Sequence, residues 1–387
     1  CFMNKVYNNQ TDIARGIAKF LKECSPNIRK TQLNIIPYIT FGMMISESLV
    51  PIDIAKRLKE EFSLIQIESI VKRINRLFKN KYFQPYDLYD QIIRNVINNY
   101  KVKHNDNKVH IVFDHMFSRD NYTVFMMTMR VGDQGIPIWF RCFEGKEGPE
   151  AFREDLIKEG ISYVSNLFDN KFNLVFLADR WFNSIGIMEH INLLGHTYVL
   201  RLKKNIKVFH YDNFKKRKRW KTLDELPKRK YLARHYKDIE ITEKQYKTTI
   251  VISDSRDTDT PWILATNGSH KRAIIDYGYR FGGIETVFKN QKSNGFYIEN
   301  TVNASLKYFE SMYFFACFGV LLSTIIGTDY SKNTKCYKHI KIKTHTISHG
   351  KKIRIKSLFQ TGLTLFQRAF NSLIYIRINY KFILYDI

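Results

Sequence analysis

A chain of 387 residues, 44% hydrophobic and 26% charged, is long enough for two or three domains with a sizeable core and has the composition of a soluble globular protein. Its 62 Lys plus Arg against 37 Asp plus Glu leave a net charge of +25, a surplus that points to a polyanion, most simply nucleic acid. An anionic membrane surface is the competitor, but no basic amphipathic helix or lipidation motif supports it.

Five cysteines (Cys1, Cys24, Cys142, Cys317, Cys336) are scattered and unpaired in spacing, which argues against a zinc ribbon and for a reducing compartment. No signal peptide is visible, and the chain opens on Cys1 rather than Met, so the expectation is that its true beginning is missing.

Residues 1–100 read as a helical, DNA-binding region. Ile13, Ile17, Phe20 and Leu21 make one apolar stripe. A helix opening at Pro51 carries Ile54, Ala55 and Leu58 inward, and a second carries Ile67, Ile70, Val71, Ile74, Leu77 and Phe78. Lys72, Arg73, Arg76 and Lys79 line that second helix. The pair at 51–79 reads either as a helix-turn-helix module or as a plain helical hairpin with a solvated basic face, and the charge of the whole chain favours the first.

At Lys108 the period changes to that of strands. Val109–Asp114, Tyr122–Arg130 and Ile136–Phe143, the last two joined by Gly132-Asp133-Gln134-Gly135, predict a three-stranded antiparallel meander. A helix over Pro149–Phe168 follows, with Phe152, Leu156, Ile157, Ile161 and Val164 inward, then a buried strand over Phe172–Asp179. Ser184 caps the next helix, and His196–Leu202 is one more strand. Three strands, helix, strand, helix, strand is the order of a ribonuclease H-like domain, so residues 101–202 are its first part.

Residues 203–266 read as a β-rich insertion, with strands at Arg229–His235, Ile239–Thr242, Lys247–Ser253 and Trp262–Thr266. The charge run Lys215–Arg219 is either a solvated loop or a phosphate contact. Residues 267–328 form the second part of the core. The stretch Tyr277–Lys292 reads as one helix with Glu285, Lys289 and Lys292 close together on its surface, ended near Gly295 as C-cap. Ala304–Gly327 reads as a long core helix rather than a membrane span. Residues 329–387 are a basic tail and a terminal segment: Lys332–Lys356 carries nine Lys or Arg and no acid, suited to lying mobile along a DNA backbone, and Leu358–Leu384 either packs back on the core or pairs with another subunit. The fold class is thus α/β: a ribonuclease H-like mixed-sheet catalytic core interrupted by a β-rich insertion, with an N-terminal helical domain and a helical C-terminal region.

Asp114 and Asp179 each end a predicted strand, and Glu285 lies on a predicted helix. A single acid at a strand end is ordinary turn chemistry, but three from distant segments on such a fold can gather divalent ions. Phosphodiester cleavage uses such a cluster, with two ions about 3.5–4 Å apart.

Here the sequence resembles the DDE transposases of bacterial insertion sequences, in the insertion sequence four (IS-four) family, whose core carries a β-strand insertion before the catalytic Glu. The resemblance covers about 111–295. Asp114 follows Val-His-Ile-Val-Phe, and Asp179 stands in Asp-Arg-Trp-Phe-Asn-Ser, similar to the family's Asp-Arg-Gly-Phe-x-Ser. Tyr277 and Arg280 match the first half of the family's Tyr, Arg, Glu, Lys signature, and Glu285 and Lys292 match the second. Four residues separate Arg280 from Glu285 where the family has three.

The resemblance implies a cut-and-paste DNA transposase that cleaves at the element's ends and joins a 3′-hydroxyl to target DNA. It implies Asp114, Asp179 and Glu285 as catalytic acids and as ligands of two Mg²⁺ ions, for which Mn²⁺ can substitute. Tyr277, Arg280, Lys289, Lys292 and Arg180 are implied to bind DNA. Trp262, in a strand resembling the one just upstream of the signature, would stack a flipped base, the alternative being plain core packing. Trp181, beside Arg180, is expected to pack at the strand end. The implied partners are double-stranded DNA, as terminal inverted repeats and target, and a second copy of the chain in the synaptic complex, with no membrane. The implied setting is the bacterial cytoplasm, at the nucleoid. The rivals are a catalytically impaired transposase-derived DNA-binding protein and a structure-selective nuclease of ribonuclease H-like fold.

Overall fold

The computed structural model describes residues 10–59, 65–100, 108–119, 121–145, 152–169, 171–212, 217–228, 232–254, 260–300, 305–333, 340, 342–348, 351–371 and 384. In chain order the elements are α1 (Gln10–Cys24), α2 (Lys30–Leu33), α3 (Ile36–Ser46), α4 (Pro51–Lys59), α5 (Ile67–Phe78) and α6 (Pro85–Asn98). Next come β1 (Lys108–Phe117), β2 (Tyr122–Val131), β3 (Gln134–Glu144), α7 (Glu154–Phe168), β4 (Asn173–Ala178), α8 (Ile185–Leu193) and β5 (Thr197–Arg201). Then follow β6 (Lys207–Asp212), β7 (Arg217–Thr222), β8 (Ala233–Ile241), β9 (Tyr246–Ser253), β10 (Trp262–Thr266), α9 (Ala273–Gly282) and α10 (Ile284–Lys292). The chain closes with α11 (Leu306–Lys332), β11 (His345–Ser348), β12 (Lys351–Arg354) and α12 (Leu358–Asn371). The fold is mixed α/β.

These elements group into two compact units. Unit 1 holds Cys1–Asn105, His115–Ala151 and Gly282–Ile387; unit 2 holds Asp106–Asp114 and Phe152–Phe281. The boundary runs through β1 and again through the end of α9, so β2, β3 and α10 group with the helices of the two chain ends.

Unit 2 is built on the strand order β1-β4-β5-β10-β9-β8-β6-β7. β1, β4 and β5 are parallel; β10 pairs antiparallel with both β5 and β9, and the remaining pairs are antiparallel. Leu174-Val175-Phe176-Leu177-Ala178 of β4 is buried throughout, the unbroken apolar run of a strand covered on both faces. The inserted strands continue the sheet through β10, since Trp262–Thr266 pairs residue for residue with Thr249–Ser253. β6 and β7 have no counterpart in the sequence reading. Arg217–Arg219, expected in a solvated loop or phosphate-binding run, lies in β7; Lys215 and Lys216 fall outside the described residues. β7 ends the strand order, and charged side chains suit such an edge because they discourage further pairing.

Unit 1 is organised on α11. Nearly every residue from Tyr308 to Asp329 is buried, because the helix is apolar all round and is met by α3, α5, α6, α10, α12 and β3. It is the one described helix long and apolar enough to cross a membrane, and 94% of its apolar window is buried inside the protein, as a core helix requires. Phe78 meets Tyr308 and Phe315 edge-on or tilted, at 5.1 and 5.5 Å between centroids, which seats α5. Ile70, Ile74, Leu77 and Phe78 of α5 are buried, while Lys72, Arg73, Arg76 and Lys79 are exposed. The α4–α5 connection, residues 60–64, lies outside the described residues.

Several local expectations change. The helix expected from Pro149 begins at Glu154, after an extended Arg153; residues 149–151 are outside the described residues. The single helix expected over Tyr277–Lys292 breaks at Gly283, whose φ −91° and ψ −100° fit no helix. The helical cap after α10 is Ser293, not Gly295; Gly295 is held close, and a Cβ there would lie 2.6 Å from Asn290 O and 2.8 Å from Phe359 Cζ. The basic tail contains the hairpin β11–β12 and is tied to α11 through Tyr330, whose hydroxyl donates to Ile340 O at 3.2 Å and accepts from Ile342 N at 3.1 Å. Of the terminal segment, Leu358–Asn371 packs back on the core as α12, with Gly362 against Ser323 and Gly327 against Leu358, and residues 372–383 lie outside the described residues.

Candidate active site

The register of unit 2 brings the first two acids together. Phe113 of β1 pairs with Ala178 of β4, and Ala178 pairs with Leu200 of β5. The next residues along the three chains are Asp114, Asp179 and Arg201. Phe113, Ala178 and Leu200 are buried, so strand alternation leaves these next positions on the opposite side.

Arg280 of α9 is the hub. Its side chain is 9% exposed; Nη2 donates to Asp114 Oδ2 at 2.5 Å and lies 3.8 Å from Asp179 Oδ2. Arg201 Nη1 stands 3.8 Å from Asp179 Oδ1, and Arg201 Nη2 donates to Thr260 Oγ1 at 3.1 Å. Asp179 is also the cap of the 3-10 turn Arg180–Phe182, accepting from Arg180 N at 2.6 Å. α9 is itself anchored on β1 through Asp276, which meets His110 Nε2 at 3.2 Å and Arg272 at 3.5 Å. Tyr279 meets the His110 ring edge-on at 4.6 Å.

Behind Arg280 lies an aromatic cluster. Tyr277 is fully buried and its hydroxyl has no hydrogen-bond partner among the described residues. Burial pushes its pKa up to about 12, with the Arg280 cation opposing the rise. Trp262 meets Tyr277 edge-on at 5.0 Å and stacks on Phe281 at 5.7 Å and 24°. The half-buried indole expected to stack a base therefore already has an aromatic partner, Phe281, which is 44% exposed.

Of the remaining expected residues, Glu285, Lys289 and Lys292 belong to unit 1, and Arg180 and Trp181 to unit 2. Glu285 and Lys289 are exposed on α10. That helix is fixed by β3: Gly135 N donates to Thr286 Oγ1 at 3.4 Å, and Asn290 Nδ2 donates to Gln134 Oε1 at 3.1 Å. Lys292 is half-buried and engaged, donating to Phe117 O at 2.8 Å and pairing with Glu299 at 3.0 Å. Arg180 is exposed. Trp181, expected to pack at the strand end, is 64% exposed instead, because Phe182 takes the inward position and meets Phe113 at 4.9 Å.

Arg201, Thr260 and the outward pose of Trp181 were missed by the sequence reading. Arg201 had a usable signal, for it ends β5; Asp179 directly follows β4, whereas Asp114, expected at a strand end, lies inside β1, which runs on to Phe117. Among the described residues no group of three or more His, Cys, Asp or Glu is placed to hold a metal ion. The Asp114–Asp179 pair nevertheless has the donor chemistry of a hard divalent cation, since two carboxylates already face one positive group.

No family model and no curated protein sequence matches the chain. Among solved structures it is similar to a piggyBac transposase in a synaptic complex with hairpin DNA, at 13% identity and TM-score 0.45, over 95% of this chain and 81% of that one. At that score the likeness is loose and decides neither fold nor function.

Proposed function

We propose that the chain is a metal-dependent DNA transposase of ribonuclease H-like fold, related to the insertion sequence four family. The observation that carries this reading is the meeting of Asp114 and Asp179 at the same level of two adjacent parallel strands, on Arg280. The order β1-β2-β3-α7-β4-α8-β5 and the basic composition support it.

Asp114 and Asp179 would hold Mg²⁺. Bound there, the ions would activate an attacking oxygen and stabilise the leaving one. The chain's own contributions are electrostatic and positional. Arg280 and Arg201 neutralise the acid pair, and once Arg280 is released from the acids its guanidinium is free to bind a phosphate. Lys289 supplies a second cation for the backbone, and Lys292 holds the strand end at Phe117. The partners are terminal-repeat and target DNA, with two copies of the chain joining two ends.

Arg280's hold on both acids also favours a second reading, a transposase-derived protein that occupies DNA without cutting it. One experiment separates them. Purified protein is incubated with Mg²⁺ and DNA carrying the inverted repeats that flank its coding region. Strand cleavage by the parent and its loss in Asp179→Ala supports the transposase. Binding without cleavage supports the second reading, and equal nicking by parent and variant overturns the acid assignment.

A further inference from the structure

Trp181 stands on a rigid mount. The 3-10 turn that carries it is held at one end by Asp179, whose carboxylate accepts from Arg180 N and whose carbonyl accepts from Phe182 N at 3.0 Å. It is held at the other end by Phe182, 1% exposed and packed on Phe113. Trp181 is therefore fixed outward, with 64% of its surface in solvent. Burying an indole is among the larger apolar gains open to a fold, and this chain forgoes it. Lys203 Nζ stands 5.2 Å over the ring, and Phe152 touches it at a tilt, 6.4 Å between centroids. Arg180, on the turn, and Lys203, over the ring, are both exposed cations.

An exposed π face under a lysine, two residues from an acid, matches a ligand that is flat, aromatic and negatively charged along one edge. We propose that Trp181 is a stacking platform for an unpaired nucleobase, with Lys203 moving from the indole to that nucleotide's phosphate. A base inside a duplex has both faces covered by its neighbours, whereas a base at a frayed end or overhang offers one. The platform lies two residues from Asp179, so it would hold the strand next to the position where cleavage is proposed. This rests on the nucleic-acid reading above and adds to it a preference for unpaired DNA beside the acids. The charge around the turn favours a nucleic acid over an apolar protein surface.

The test uses the full chain in EDTA, so that binding is read without cleavage. The probes are a labelled blunt 30-base-pair duplex and the same duplex with a four-nucleotide single-stranded overhang. The parent, Trp181→Phe, Trp181→Leu and the control Trp220→Leu are compared, with thermal unfolding as a check that each is folded. The expected result is tighter binding of the overhang DNA by the parent, by Trp181→Phe and by the control. Trp181→Leu should lose about tenfold on the overhang probe and nothing on the blunt one, the size of one lost stacking contact.

Equal affinity of parent and Trp181→Leu for the overhang overturns the proposal while leaving the transposase reading intact. So does a parent without overhang preference, or an equal loss on both probes. A Trp181→Leu change in self-association on size exclusion, with DNA binding unchanged, would assign the indole to a protein contact and also overturn it. A parent that binds neither probe sinks this inference and the proposed function together.

Discussion

Arg280 Nη2 lies 2.5 Å from Asp114 Oδ2, and this nearly buried guanidinium spans the two acids proposed to hold metal. The arrangement makes Arg280 a competitor for any cation at that position. Arg280→Gln should therefore bind Mn²⁺ more tightly than the parent, read by the loss of free-ion signal in electron paramagnetic resonance. It should also be less stable by about 2 kcal/mol, since removing one partner of a largely buried pair leaves a carboxylate uncompensated and Asp114's partial exposure softens the penalty. Unchanged Mn²⁺ affinity would remove Arg280 as the competitor.

Tyr277 gives a pH signature. An unfolded phenol titrates near 10, and burial moves the native one to about 12. Below pH 10 both states keep the proton and the full stability is present. As pH rises from about 10 toward about 12 only the unfolded chain ionises, so stability falls. Tyr277→Phe should flatten that part of the profile and cost little at pH 8, because the hydroxyl it removes is buried without a partner. Urea midpoints at pH 8 and pH 11 measure both effects. Tyr308, pushed up to about 12 by the same cause, leaves a residual slope.

Lys292 separates a positioning role from a phosphate-binding one. Its ammonium holds Phe117 O and Glu299 within unit 1. Lys292→Gln should lower stability by about 1 kcal/mol through these contacts alone. Loss of DNA affinity with an unchanged melting temperature would instead assign the lysine to a phosphate.

Gly362 and Gly327 set the approach of α12 to α11. A Cβ on Gly362 would run into the carbonyl of Ser323, and one on Gly327 into that of Leu358. Backbone cannot yield as a side-chain tip can, so Gly362→Ala should cost about 1–3 kcal/mol and lower the melting temperature, measured by circular dichroism. An unchanged melting temperature would mean that the two helices separate at no cost.

The sequence alone determined the parts whose cause is local. The apolar runs of β4 and α11, the stripes of α1 and α5, and the Ser184 cap were legible because period and cap chemistry act within one or two turns of chain. Asp179 was legible as a strand-end acid for the same reason, whereas Asp114, read the same way, lies inside β1, which runs on to Phe117. What only the tertiary structure decided are the relations made by pairing and packing between distant segments. The Phe113–Ala178–Leu200 register brings Arg201 level with the acids, Arg280 reaches them from a helix 166 residues beyond Asp114, and Phe182 takes the inward place that leaves Trp181 in solvent. β7 was missed because an edge strand's charges break the alternation that marks a half-buried one. A side chain's chemistry is written in the sequence; which charge it meets is set by register and packing, and no local pattern encodes those.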